Sequence, residues 1–336
     1  MDGVFSFLKP PGITSHDAVS ICRRVLREKR IGHSGTLDPL AYGVLPMFVG
    51  KATRIIEYTD GLQKTYVAEC CLGYSTDTED ATGEMIEQVD LQSVTVPTME
   101  QIKIVAKRFL GPQEQRPSIY SAIKVNGKKA YELARAGKPV DLPSRPIHIY
   151  ECNVLAYAFP YFTIQVTCSA GTYIRALLRD FCAALGIPGT MTQLARTAVG
   201  HFTINESIAV EELESLGEAV LLPVDKALLH LPGIVLPEAG VVALKQGQTW
   251  PSKASDTLLA PYSSIQKVED GIGKGKNQLE AMDCFKAVNR FKAENQVEGM
   301  NGFEGKEALL RAYGPNGFFG VLHSKKTHYK VAKNIF

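Results

Sequence analysis

Residues 32–41 read Gly32-His33-Ser34-Gly35-Thr36-Leu37-Asp38-Pro39-Leu40-Ala41, and no other stretch limits the fold as tightly. Gly32 and Gly35 permit positive φ or close approach of the backbone to a ligand. Pro39 drives Asp38 into an extended or turn conformation, because its ring disfavours α geometry in the preceding residue. The chain must therefore build a loop here that holds one carboxylate in a fixed pose, beside His33 and the hydroxyls of Ser34 and Thr36. An Asx-type turn, with Asp38 bonded to its own backbone, satisfies the same residues. Clusters of Gly, Asp and Pro are most often plain loops.

Regular elements flank the loop. Val4–Leu8 alternates like a strand and stops at Lys9-Pro10-Pro11-Gly12. Ser15 is placed to cap a helix whose apolar face is Ala18, Val19, Cys22, Val25 and Leu26. A buried strand is expected over Val44–Val49, a helix from about Lys51 to Tyr58, and a β-rich run from Lys64 to Gly73. The spacing of Ile102, Val105, Ala106 and Phe109 predicts a helix near Thr98–Leu110. Tyr161–Ser169 alternates as a strand, and Ser169-Ala170-Gly171-Thr172-Tyr173-Ile174-Arg175 opens a helix to about Leu185. Leu231-Pro232-Gly233 reads as a linker, with short β-like runs beyond it. Residues 262–305 are polar, with Leu279, Met282, Phe285, Val288 and Phe291 spaced for one amphipathic helix.

Charge is unevenly distributed in a chain of net +2. Residues 61–100 hold one basic and eight acidic side chains, whereas 101–150 hold ten basic and three acidic. From Lys306 onward there are six basic and one acidic. Two basic blocks fit a polyanion touched in two places, and solvated helix faces would give the same pattern. The acidic stretch between them is expected to face away from that polyanion.

Several classes of chemistry find no motif. The seven cysteines include no Cys-x-x-Cys and read as reduced core residues. No His-x-x-x-His pair suggests zinc, no Gly-x-Ser-x-Gly elbow suggests a serine hydrolase, and Gly271–Lys276 lacks the spacing of a Walker loop. No apolar run approaches the roughly 18 residues of a membrane span, and no basic segment with an apolar core stands near Met1. The chain reads as cytoplasmic.

The segment from Gly32 to Ala41 resembles the Gly-His-x-Gly-Thr-Leu-Asp-Pro-x-Ala motif of the TruB family of pseudouridine synthases. Lys64-Thr65-Tyr66, the Leu72-Gly73-x-x-Thr76-x-Thr78-x-Asp80 run, Tyr173-Ile174-Arg175 and Leu194-Ala195-Arg196 resemble that family too, over about residues 3–225. The resemblance implies an α+β fold: a catalytic domain over 1–229 with a mixed, mainly antiparallel sheet and a thumb insertion at about 112–146. A small β-rich, PUA-like RNA-binding module follows over 235–336, interrupted by the insertion at 262–305, which has no family counterpart.

The implied activity is isomerisation of uridine to pseudouridine in tRNA, at uridine 55 of the T-loop, without cofactor or metal. The family's catalytic aspartate falls on Asp38, acting as nucleophile or base. Whether it attacks C1′, attacks C6 or abstracts a ribose proton is left open by the residues. Arg175 would orient it through a bidentate pair. Tyr66 would hold the flipped base and later help remove the C5 proton, His33 would fill the vacated space or meet a phosphate, and Tyr173 and Leu194 would wall the pocket. Lys124, Lys128, Lys129 and Arg135 would grip T-arm phosphates. A monomer with no obligatory protein partner is expected. Two other readings use the same residues: a synthase acting on another RNA, with or without a guide, and an RNA-binding or tRNA-folding protein without turnover.

Overall fold

The computed structural model describes residues 1–252, 258, 259, 261, 308–325 and 327–335. The helix expected over Leu279–Phe291, the Gly271–Lys276 run and the polar insertion lie outside the described residues. The chain forms two compact units. One comprises Phe5–Met47 and Thr59–Val220; the other takes Met1–Val4, Phe48–Tyr58 and Leu221–Phe336.

In chain order the first elements are β1 (Gly3–Lys9), α1 (Ser15–Leu26), β2 (Ile31–His33), β3 (Tyr42–Val49), β4 (Lys64–Leu72), β5 (Tyr74–Thr76) and β6 (Met85–Gln88). Next come α2 (Met99–Arg108), β7 (Gly111–Gln115), β8 (Lys124–Val125), β9 (Lys128–Lys129), α3 (Ala130–Arg135), β10 (Arg145–Ala158) and β11 (Tyr161–Cys168). They are followed by α4 (Ile174–Leu185), β12 (Gly189–Val199), β13 (Phe202–Thr203) and α5 (Val210–Leu216). The described C-terminal elements are β14 (Gly233–Val235), α6 (Glu238–Lys245), β15 (Trp250–Pro251), β16 (Leu258–Leu259), β17 (Ala308–Gly314), β18 (Gly317–Ser324) and β19 (His328–Asn334).

The larger sheet runs β1-β3-β12-β4-β11-β10-β7, with β2 added to β3 and β13 to β12. Its pairs are antiparallel at β4–β11, β10–β11, β7–β10 and β4–β12, and parallel at β3–β12. The fold is α+β with a mixed, mainly antiparallel sheet. On β4 alternation sends Tyr66, Ala68, Cys70 and Leu72 into one core, where they meet Phe162, Ile164 and Val166 from β11. Helix α4 covers that face with Leu177, Leu178 and Phe181, and Phe181 stacks on Phe109 and Phe162. Leu37 and Ala41 sink into the same core. The 32–41 loop is thus rooted on both sides of Asp38. The second sheet runs β15-β19-β18-β17-β14-β16 and packs Ile234, Leu236, Leu244, Leu310 and Leu322 against Tyr329.

Three local expectations are corrected. Helix α1 is capped by Thr14, not Ser15: Asp17 stands three residues later and closes a capping box, so the preceding threonine takes the cap. The segment near Lys51–Tyr58 is a 3-10 helix, Gly50–Thr59. Leu231-Pro232-Gly233 does not act as a linker, because Gly233 starts β14 and Arg311 N–H donates to the Pro232 carbonyl.

Candidate active site

The loop carrying Asp38 is bonded from every side. Leu37 N–H donates to Ser15 Oγ at 2.8 Å, and that hydroxyl donates back to Leu37 O at 3.1 Å. Ser34 N–H donates to Pro46 O, Gly12 N–H to Pro39 O, and Ala41 N–H to Asp38 O, which closes a turn over Pro39. The fully buried Lys9 donates its ammonium to Ala41 O at 2.7 Å and Pro10 O at 2.9 Å. Burial holds that ammonium's pKa down to about 8, against the pull of Asp38. Arg196 donates to Gly35 O, Thr36 O and Val44 O. Gly35 adopts φ +80°, and a Cβ there would stand 3.2 Å from Lys64 Nζ and 3.3 Å from Arg196 Nη1. Only glycine meets both demands without strain.

Asp38 itself turns outward. Its Oδ2 accepts from Arg175 Nε at 2.9 Å, its side chain is 38% exposed, and among the described residues Oδ1 takes no hydrogen bond. The Asx-turn alternative fails, because the carboxylate bonds to Arg175 rather than to its own backbone. Arg175 is buried near the start of α4 and spans three chain segments. Nη1 donates to Thr78 O at 2.8 Å, Nη2 donates to Tyr120 O at 3.0 Å, and Asp80 Oδ2 lies 3.7 Å from Nε. The expected bidentate grip on Asp38 is therefore a single hydrogen bond. The rest of the fork donates to the carbonyls of Thr78 and Tyr120 and, at 3.4 Å, to Ser118 Oγ.

Asp80 is itself fixed by Thr78 Oγ1 and by Thr82 N–H and Oγ1, all donating to Oδ1. Asp77, Glu79 and Asp80 of the acidic stretch thus turn toward this centre instead of away from it. Asp77 accepts from the Tyr120 phenol, and Glu79 pairs with Arg179 at 2.6 Å. These acids face cations and a phenol of the same unit, which holds the base of the 116–144 excursion against α4; Arg179 also donates to the Arg116 carbonyl.

The other expected residues fall into three groups. Tyr66 and Leu194 are buried in the core that receives Leu37 and Ala41. Tyr66 sits on β4 opposite Arg196 of β12, and Leu194 sits opposite Ala68. Burial raises the Tyr66 phenol's pKa, and the charge and hydrogen bonding of Arg196 oppose that rise. Tyr173 caps α4, its N–H donating to Gln115 Oε1 at 2.9 Å. Burial also raises its phenol's pKa, with Asp38 and Arg175 among the charges it feels. His33 ends β2 without bonding to Asp38; its Nδ1 is buried and has no hydrogen-bond partner among the described residues, and burial lowers its pKa.

Lys124, Lys128, Lys129 and Arg135 lie apart on the β8–β9 hairpin and α3, all exposed, with Lys129 and Arg135 over the Tyr131 ring at 5.4 and 5.6 Å. The C-terminal basic block offers less than its composition implied. Arg311 is buried against Leu231 O, and Lys333 pairs with Glu57. Sequence reasoning missed Lys9, Asp80 and Arg196 as parts of the site. The Thr-x-Thr-x-Asp and Leu-Ala-Arg runs contained the last two, but nothing in the spacing marked them as buried.

Residues 23–174 match the TruB family pseudouridylate synthase N-terminal domain. The chain is 44% identical over 258 residues to tRNA pseudouridine synthase B of Bacillus cytotoxicus, covering 74% of this chain and 83% of that one. It is 43% identical over 284 residues to the protein of the same name from Bacillus velezensis, covering 81% and 91%. Among solved structures, a Cbf5-Nop10-Gar1 complex aligns with TM-score 0.69 at 23% identity, over 99% of this chain and 85% of that one. An H/ACA RNP bound to a substrate RNA containing 2′-deoxyuridine aligns with TM-score 0.67 at 22% identity and the same coverage. Fold and sequence together define an isomerase of the pseudouridylate synthase class. The chain belongs to the TruB family of these enzymes.

Proposed function

We propose that this chain isomerises uridine to pseudouridine in tRNA, at position 55 of the T-loop, with Asp38 as the nucleophile on a flipped-out base. The observation that carries this reading is the posture of Asp38: rooted through Leu37 and Ala41, held through Oδ2, and open at Oδ1. The relatives named for tRNA pseudouridine synthesis support tRNA as the substrate. A target base must leave its stack before its glycosidic bond can be worked on. The N1–C1′ bond breaks, the base turns, and C5 bonds to C1′. C5 then loses a proton and N1 gains one, so uridine and pseudouridine balance without redox change, cofactor or metal.

Arg175 keeps Asp38 ionised and aimed. Tyr66 holds the base, Tyr173 and Leu194 wall it, and His33 occupies the space the base leaves or meets a phosphate. Stacking on an aromatic is worth roughly 1–3 kcal/mol, comparable to what extrusion loses. Lys124, Lys128, Lys129 and Arg135 contact T-arm phosphates, in a thumb spanning about 112–146 of a catalytic domain at 1–229. The module over 235–336 adds a further RNA contact. The enzyme works in the cytoplasm as a monomer, without a protein partner.

The test is tritium release from 5-tritiated uridine in a T-arm transcript, with no cofactor added. Asp38→Asn keeps the shape of the carboxylate and removes its nucleophilicity, so it should abolish release while leaving the tRNA Kd unchanged. Release at roughly a tenth of the normal rate or faster would remove Asp38 from the nucleophile's role. Turnover of other RNAs in preference to the T-arm would overturn the substrate assignment alone.

A further inference from the structure

Arg196 is the largest of the fully buried side chains, at 0% exposure. Three of its five N–H donors go to carbonyls of the loop that leads to Asp38 and of the strand that follows it: Gly35 at 2.8 Å, Thr36 at 3.4 Å and Val44 at 2.8 Å. Its Cα partner across the β4–β12 ladder is Tyr66. Its own carbonyl lies where a Cβ on Gly43 would have to go, so Gly43, at φ +112°, lets β3 approach it closely. Among the described residues no carboxylate neutralises this guanidinium; the partner that offsets its burial is the Tyr66 phenol. A second cation, Lys64 Nζ, stands at the same glycine, Gly35. A buried charge without a counter-ion is costly, and the group positioned to become its counter-ion is a phenolate.

We propose that Arg196 is a positioning residue of the isomerisation: one buried guanidinium fixes the loop of Asp38 relative to the Tyr66 phenol and stabilises that phenol as the base that removes the C5 proton. The inference rests on the reading of Tyr66 as a residue that touches the flipped base. In this step the phenolate oxygen takes the proton from C5, the C–H electron pair forms the C5=C6 double bond, the C6=N1 π pair moves onto N1, which takes up a proton from solvent, and Tyr66 is left as the neutral phenol. The groups facing Tyr66 divide by sign. Burial and, from the loop, Asp38 oppose the phenolate, Arg196 from β12 favours it, and Cys168 from β11 would oppose it only as a thiolate. Cys168 is held as the neutral thiol by burial, its pKa pushed up to about 11. Because Arg196 favours the charged form, removing it raises the phenol's pKa and moves the ascending limb of the pH–rate profile to higher pH.

The experiment measures turnover against pH, and the isotope effect with 5-deuterated uridine, for the unaltered protein and for Arg196→Lys, Arg196→Gln and Tyr66→Phe. Arg196→Gln is expected to slow turnover by about tenfold or more, to shift the ascending limb upward and to enlarge the primary isotope effect. A fluorotyrosine at position 66, with its more acidic phenol, is expected to restore part of the rate lost in Arg196→Lys. A slow variant with an unmoved limb, an unchanged isotope effect and no rescue would make Arg196 structural only and overturn the inference. Where Arg196→Gln does not fold, fluorotyrosine at 66 in the otherwise unaltered protein decides. A limb moved to lower pH supports the phenolate, and an unmoved one overturns it. Undiminished turnover by Tyr66→Phe would overturn this inference alone, since Asp38 is tested separately by its asparagine variant.

Discussion

Arg175 spends one nitrogen on Asp38 and the others on the carbonyls of Thr78 and Tyr120. A lysine carries a single compact ammonium and cannot serve three directions at once. Arg175→Lys should therefore lower turnover by roughly tenfold or more, with cooperative melting preserved, as single-turnover kinetics and a thermal melt would check. Normal turnover by the lysine variant would place Arg175 outside the reaction. At this scale the sequence marks Asp38 well, because glycine and proline leave a backbone signature around it. It marks Arg196 and Lys9 poorly. A buried cation differs from a surface one only in what surrounds it, and the carbonyls that receive it come from remote segments. The single bond from Arg175 to Asp38 has the same origin, since Tyr120 and Asp80 compete for the fork.

Helix α1 and the Asp38 loop act as one piece through Ser15, whose hydroxyl both accepts from and donates to Leu37. Ser15→Ala deletes that exchange in a buried place and leaves the Leu37 N–H and carbonyl unpaired. A loss of about 1–3 kcal/mol in stability is expected, read by denaturant melting, together with a fall in kcat larger than any rise in KM. A stability loss with unaltered kcat would show that the loop holds its shape without α1. Strands β3, β4 and β11 and helices α1, α2 and α4 were legible from apolar periodicity, because each buries one continuous face. The role of Ser15 was not. Two neighbouring hydroxyls compete for one cap, and Asp17 decides for Thr14. Strand β14 was hidden for another reason: three residues are too short to show alternation.

For the whole molecule, the exposed cations of the β8–β9 hairpin and α3 form no salt bridge among the described residues, whereas Arg311 and Lys333 are engaged with their own unit. The salt dependence of tRNA binding should therefore come mainly from the first set. Replacing Lys124, Lys128, Lys129 and Arg135 with glutamine should lower the slope of log Kd against log salt by at most about 0.9 per phosphate contact, without changing which uridine reacts. Filter binding across a salt series checks this; an unchanged slope would send the RNA elsewhere. The unit that takes in Phe48–Tyr58 also needs Leu221 and the strands beyond it. A chain emerging from the ribosome completes domains as their last contributing residues appear. Phe48–Tyr58 is thus made early and its unit is completed late: Met1–Val4 precede it, and the residues from Leu221 onward are translated only after the whole of Thr59–Val220.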